Sequence, residues 1–273
     1  MSYTVVGARG FIGSAFLRAL QQRGIQAVGM SHDEALLAQI DLGDVIYASG
    51  IAWDAQKRPD DAQRLHAAVP AALLAKRLRS FTYISSTRVY GFSTSTQEDN
   101  VRQFDASDVY AATKTAGENA VLNDPRPRMR VLRLSNVYGP SFRSGLMLSD
   151  FLRQAATTGR IVVRSSRDSE KDHVSIDDVV DVGLRIAFTG RERLYNIAAG
   201  RNTKQGLLLD AIAAASKCTI EIMPDAPAVV FAPIDVARVR KEFGFETRDV
   251  LDDLPRLWRE FKDHFAATAQ VAQ

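Results

Sequence analysis

Gly7-Ala8-Arg9-Gly10-Phe11-Ile12-Gly13 follows the apolar run Tyr3–Val6 and opens a stretch of helical period, Phe11–Arg23. Closely spaced glycines between a strand and a helix let the backbone turn tightly, and they let a pyrophosphate approach the helix N-terminus. The same turn also joins strands to helices where no ligand binds, so the surroundings of the loop decide its meaning. Outward from it, short apolar runs recur at Gln26–Met30, Val45–Ala48, Phe81–Ser85, Arg130–Leu134 and Leu194–Ala198, with amphipathic segments between most of them. Alternation of this kind predicts βαβ units and an α/β fold built on a doubly wound parallel sheet. We expect residues 1–140 to form mainly the dinucleotide-binding domain. Residues 141–273 should form a small substrate-binding lobe, interleaved with sheet elements that return at about 172–198.

The 273 residues carry 35 Lys+Arg against 32 Asp+Glu, a net charge of +3, and opposite charges are interspersed. So small an excess, with no basic block, argues against a nucleic-acid partner. One cysteine, Cys218, and four histidines leave no basis for an intrachain disulfide or a structural metal, and a reducing cytoplasm fits this usage. Cys218 itself reads as a small buried apolar residue. The first strand begins without a basic leader, and no apolar run reaches the roughly 18 residues of a membrane span. Composition loosens at Pro140–Gly145, Arg164–Lys171 and Pro224–Pro233, where substrate-facing insertions could sit. The stretch Ala266–Gln273 is expected to fray.

Cofactor choice is read at the end of the second strand, where an acidic residue accepts from the adenosine ribose and repels a 2′-phosphate. Ser31 stands there, followed by His32. A neutral serine leaves room for phosphate, and Arg9 in the glycine loop adds a planar cation, so NADP(H) is favoured over NAD(H), with Asp33 nearby as the opposing feature.

Tyr110-Ala111-Ala112-Thr113-Lys114 sets a phenol and an ammonium at i and i+4 on a helix expected from Ser107 to Leu122. A nearby positive charge can bring such a phenol into acid/base use. Ser85-Ser86-Thr87-Arg88-Val89-Tyr90-Gly91 follows the strand Phe81–Ser85 and places hydroxyls at its carboxyl end, where doubly wound sheets bind ligands. The G-x-x-G-x-x-G loop, Ser-Ser-x-x-Val-Tyr-Gly and Tyr-x-x-x-Lys, in that order, resemble the extended short-chain dehydrogenase/reductases of the NAD(P)-dependent epimerase/dehydratase family. Arg133-Leu134-Ser135-Asn136-Val137-Tyr138-Gly139-Pro140, Asp172-His173-Val174-Ser175-Ile176-Asp177-Asp178 and Tyr195-Asn196-Ile197 are similar to further segments of that family. The resemblance covers most of the chain.

It implies a Rossmann-type fold with a catalytic triad of Ser86, Tyr110 and Lys114. Tyr110 would be the general acid/base, Lys114 would lower its pKa and hold the nicotinamide ribose, and Ser86 would polarise the substrate. Gly7, Arg9, Gly10, Phe11, Ile12, Gly13, Ser31 and His32 would join Tyr110 and Lys114 in binding the cofactor, and Ser86, Asn136 and Lys171 would contact a nucleotide-linked sugar. Asn136 could equally cap a turn. Ser85 is expected to be structural, Tyr90 and Tyr138 either to pack against the sheet rim or to contact ligand, and Asp177 and Asp178 to cap a helix running to about Phe188. The family also implies a homodimer formed through helices near Asp61–Lys76 and Ser107–Leu122.

Several positions depart from the family pattern. Sugar dehydratases of this kind have Asp-Glu after the catalytic Ser/Thr, and Thr87-Arg88 stands there instead; arginine cannot act as that base. Ser31 and Asp44 are so close that the usual third strand should be missing or reduced. His66 replaces a family asparagine and reads as a structural histidine, and Lys171 stands for a family arginine. These features favour an NADPH-dependent keto-sugar reductase. A nucleotide-sugar C4 epimerase that retains NAD is the second expectation, and a non-catalytic NADP-binding redox sensor the third.

Overall fold

Val5 and Val6 are both wholly buried, yet they belong to different hydrophobic clusters. Side chains alternate across a strand, so a strand buried on both sides must have a packed layer on each face. A computed structural model describes residues 2–52, 54–100 and 105–271 and supplies those layers. Its first half runs β1 (Ser2–Val6), α1 (Phe11–Gln22), β2 (Gln26–Met30), α2 (His32–Leu37), β3 (Asp44–Tyr47), α3 (Pro59–Gln63), α4 (Val69–Leu74), β4 (Ser80–Ser86), α5 (Val109–Asn123) and β5 (Met129–Leu134). There follow β6 (Asn136–Tyr138), α6 (Met147–Thr158), β7 (Arg160–Val163), β8 (Glu170–Ser175), α7 (Ile176–Thr189), β9 (Leu194–Ile197), β10 (Asn202–Lys204), α8 (Gln205–Ser216), β11 (Thr219–Ile222), α9 (Ala237–Phe243) and α10 (Val250–Val271).

All six sequence-predicted strands enter one parallel sheet, in the order β2-β1-β3-β4-β5-β9. On one face, Phe16 and Leu20 of α1 meet Val182, Leu184 and Ile186 of α7. On the other, Leu73 of α4 and Val121 of α5 cover Tyr47 and Tyr83. The chain leaves β1 toward β2 on one side and β3 on the other, and the crevice at this reversal is where doubly wound sheets bind ligands. Only the short α2 lies between β2 and β3, so the third strand is absent as expected and β2 forms the sheet edge.

The later elements gather around a separate cluster in which Phe151, Leu208, Leu257 and Phe261 meet. Half-buried Cys218 packs against this cluster. Several expectations are revised. Helix α5 starts at Val109 because the Asp108 side chain accepts from Ala111 N at 3.1 Å and closes its N-terminus. The single helix expected over Asp61–Lys76 is α3 and α4 separated by a π-helical turn, Arg64–Ala68. Ser175, not Asp177 or Asp178, caps α7 by accepting from Asp178 N at 3.1 Å; the two aspartates pair instead with Arg248 at 3.1 and 3.6 Å. Ala266 and the residues after it do not fray but continue α10 as far as Val271. No helix among the described residues is long and apolar enough to cross a membrane.

Candidate active site

Gly7 adopts φ +85°, and a Cβ there would lie 2.7 Å from Ser49 N; a Cβ on Gly13 would lie 2.2 Å from the Gly7 carbonyl oxygen. The loop can therefore fold tightly under α1 only with hydrogen at these positions. Gly10 caps α1 without any side-chain bond, and no acidic residue occupies the first turn. The leading N–H groups of α1 are thus left for an anion, and the turn fits a pyrophosphate. Ile12 faces a cavity of about 150 Å³ shared with Ala48–Ala52 after β3, Ser86 at the end of β4, and Tyr110 and Lys114 on α5. Phe11 points elsewhere, toward Gly139 and Ile176.

The second-strand end is less neutral than its sequence suggested. Ser31 caps α2, accepting from Glu34 N at 3.2 Å, while Ser31 N donates to the Glu34 carboxylate at 2.6 Å. This capping box lowers the Glu34 pKa and holds its carboxylate 3.8 Å from the Arg9 guanidinium, which is 86% exposed. Asp33 pairs with Arg64 at 2.5 Å and lies 3.3 Å from His32, whose Nδ1 is 3.4 Å from the Ser49 hydroxyl. A carboxylate therefore does stand near the adenosine end, three residues beyond the position where sequence reasoning sought it.

Tyr110, Lys114 and Glu118 follow at i, i+4 and i+8 along one face of α5. Burial raises the Tyr110 pKa, against which the Ser86 hydroxyl and the Arg88 cation act. Lys114 is buried, donates from Nζ to the Ile84 carbonyl at 2.9 Å and sits 6.0 Å from the Tyr110 ring centre. Burial pushes its ammonium down to about 7, with Glu118 acting in the opposite direction. In this geometry Lys114 and Tyr110 line the same cavity.

His66 lies in the π-helical turn, where the wider winding turns its ring toward the cavity floor. Nδ1 pairs with the Thr113 hydroxyl at 2.9 Å and Nε2 with Ile51 O at 2.9 Å, while the ring stands edge-on to Tyr110 at 5.4 Å. Burial drives its pKa to about 2, so it stays neutral near the buried Lys114. It is a satisfied structural histidine that anchors the Gly50–Ile51 wall.

Ser85 and Ser86 separate cleanly. Both line the cavity, but Ser85 Oγ is buried and donates to Glu118 at 2.6 Å, whereas Ser86 Oγ accepts from Arg88 N at 3.2 Å and keeps its own proton uncommitted to Glu118. Ser86→Ala should reduce turnover more than Ser85→Ala, while Ser85→Ala should cost more in stability, about 1 kcal/mol for one lost buried hydrogen bond. Steady-state kinetics and urea unfolding of the two variants check both halves; reversed kinetic ranking would shift the active hydroxyl to Ser85.

A second cavity, of about 90 Å³, continues from Ser86 and Ser135 past Arg88, Asn136 and Lys171 to Phe231. Of the three loose segments, Pro224–Pro233 reaches this space through Phe231 and Ala232, and Arg164–Lys171 through Lys171. Asn136 donates from Nδ2 to the Asp172 carbonyl at 2.8 Å, so it braces β8 while lining the cavity.

Sequence reasoning missed the buried network behind the strand ends. Arg133 forms a two-pronged pair with Glu118 at 3.0 and 2.7 Å and donates to Tyr90 Oη at 2.8 Å, and Tyr90 donates to Asn196 at 2.9 Å. An arginine in the interior of the strand Met129–Leu134 was the visible signal.

The sequence model of the NAD dependent epimerase/dehydratase family matches residues 34–198, more than half the chain, and the protein belongs to that family. An ADP-L-glycero-D-manno-heptose-6-epimerase from Pseudomonas paraeruginosa is 27% identical, with 85% of this chain and 82% of the relative aligned. Among solved structures, TunA, an NAD dependent NDP-hexosamine 5,6-dehydratase of tunicamycin biosynthesis, superimposes with TM-score 0.85 at 20% identity, covering 96% of this chain and 98% of that one. RMD from Pseudomonas aeruginosa, complexed with NADPH, gives TM-score 0.80 at 20% identity over 96% and 99% of the two chains. The chain is thus an NAD(P)-dependent enzyme of the epimerase/dehydratase type, built on a Rossmann fold.

Proposed function

We propose that this protein reduces a nucleotide-linked keto sugar with NADPH, using Ser86, Tyr110 and Lys114. The observation that carries the proposal is the arrival of these three residues on one cavity wall, beside an anion-ready glycine loop. A nicotinamide bound in that cavity supplies the hydride. Ser86 holds the substrate carbonyl oxygen, and Tyr110, kept protonated by burial, delivers the proton that oxygen requires as it becomes a hydroxyl. Lys114 binds the ribose and sends its charge toward the phenol as the site fills. The elements around α6, α8 and α10 serve as the substrate lobe, and Asn136 and Lys171 face the sugar nucleotide.

No carboxylate lines the Tyr110 cavity among the described residues. In the adjoining one both Asp172 oxygens accept backbone N–H bonds from Ala199, Gly200 and Arg201, at 2.8, 2.7 and 3.2 Å. Dehydration needs a further acid/base group at the sugar, which this arrangement does not offer, whereas carbonyl reduction needs none. The test is oxidation of NADPH by the purified protein on addition of 4-keto sugar nucleotides, with mass spectrometry of the protein as isolated; turnover without tightly held NAD supports a reductase.

An NAD-retaining epimerase is the second reading, favoured by the Glu34 carboxylate beside Arg9 and by the epimerase relative. The two readings part at the adenosine end. Arg9→Ala should weaken NADPH by roughly ten- to a hundredfold, the worth of a hydrogen bond to a charged group, with NADH barely changed. Glu34→Gln should tighten NADPH by removing the carboxylate that competes for Arg9, and Ser31→Asp should favour NADH. Fluorescence titration with both reduced cofactors measures all three; equal weakening of both by Arg9→Ala makes NADP the wrong choice.

A further inference from the structure

Arg88 and Lys171 are two cations lining one cavity beside Ser86, and nothing on its walls balances both. The half-exposed Arg88 donates from Nε to Asp108 at 2.7 Å, and among the described residues its terminal nitrogens make no further hydrogen bond. Lys171 is half-buried, with no carboxylate in salt-bridge reach among the described residues. Burial lowers its pKa, and the Arg88 cation lowers it further. The one carboxylate of the cavity, Asp172, spends its oxygens on backbone N–H groups. Two cations held together in a partly desolvated space destabilise each other until an anion arrives.

Position identifies which anion. Arg88 N donates to Ser86 Oγ at 3.2 Å, and Asp108, which orients the guanidinium, caps the helix that carries Tyr110 two residues later. Arg88 is therefore tied to both segments that surround the reacting carbonyl. In a nucleotide sugar the diphosphate hangs from the anomeric carbon, and the phosphates lie away from a carbonyl elsewhere on the ring. The Phe231 ring stands 5.7 Å from the guanidinium carbon and stacks on Phe92 at 5.3 Å, so an aromatic face flanks one side of the cation.

We propose that Arg88 and Lys171 grip a carboxylate on the sugar ring itself, so that the substrates of this protein are uronate-type nucleotide sugars. A planar carboxylate matches the two free prongs of Arg88, and Lys171 adds a point charge from the opposite strand. This rests on the nucleotide-sugar assignment and narrows it. It also gives a use to arginine at the position where a dehydratase carries its glutamate.

Isothermal titration of the protein, saturated with whichever reduced cofactor it binds more tightly, would compare UDP-glucuronic acid with UDP-glucose. These differ at one carbon, carboxylate against hydroxymethyl. The wild type should prefer the uronate by roughly tenfold or more, the worth of one charge-assisted contact. Arg88→Gln should bring the two affinities to within about threefold of each other, and Arg88→Lys should keep part of the preference. Lys171→Met should narrow the gap as well. Equal affinities in the wild type, or a ratio untouched by Arg88→Gln, would overturn the proposal and assign the cations to the diphosphate. Binding of neither ligand would remove the nucleotide-sugar reading on which it rests.

Discussion

Tyr110→Phe is expected to lose at least a hundredfold of turnover, because a positioned general acid contributes roughly 10²–10⁴-fold. The change removes one oxygen. The edge-on contact between His66 and the ring, at 5.4 Å, is available to phenylalanine as well, so the cavity wall should keep its shape. Cofactor affinity, read by fluorescence titration, should stay within about twofold. NADPH oxidation measured across a range of pH supplies the decisive comparison, since any residual rate in the variant should lose the pH dependence that the phenol imposes. Undiminished turnover would take Tyr110 out of the reaction.

Arg133→Met should lower the stability of the fold by about 3–5 kcal/mol, the usual consequence of removing one partner of a buried ion pair. Arg133 and Glu118 are both almost wholly buried, and Arg133 holds both Glu118 oxygens as well as Tyr90. Without the guanidinium, Glu118 must take up a proton or draw in water behind the strand that carries Ser85. The double variant Arg133→Met, Glu118→Leu should recover part of the loss, because the carboxylate that Arg133 neutralised is removed with it. Equilibrium urea unfolding of the single and double variants measures both terms. A single-variant cost below about 1 kcal/mol would mean that Glu118 is solvated in solution.

These expectations draw on two kinds of information. Apolar runs located all six strands of the main sheet to within a residue or so, since burial on both faces of the inner strands demands such runs, whereas the edge strand β2 is not buried. Glycine spacing located the phosphate turn for a similarly local reason, because a Cβ at Gly7 or Gly13 would collide with backbone. The missing strand was also legible, as too few residues separate Ser31 from Asp44 to hold one. Local geometry was harder. The π-helical turn at Arg64–Ala68, the true cap of α7 at Ser175 and the helical continuation past Ala266 depend on side-chain bonds and packing that residue type alone does not announce.

The site divides along the same line. Ser86, Tyr110 and Lys114 could be named from the family resemblance of their motifs, and the fold brings all three to one cavity. Glu34 beside Arg9 could not, since a capping box swings a side chain three residues back toward the strand end and puts a carboxylate where sequence shows a serine. Nor could the meeting of Arg88 with Lys171, or of Arg133 with Glu118, which lie 83 and 15 residues apart along the chain. Sequence sets the chemistry and the local period. Which charges are buried together, and therefore which must be neutralised by each other or by a ligand, is settled only when the layers close on the sheet, because the cost of a charge depends on the solvent it has lost.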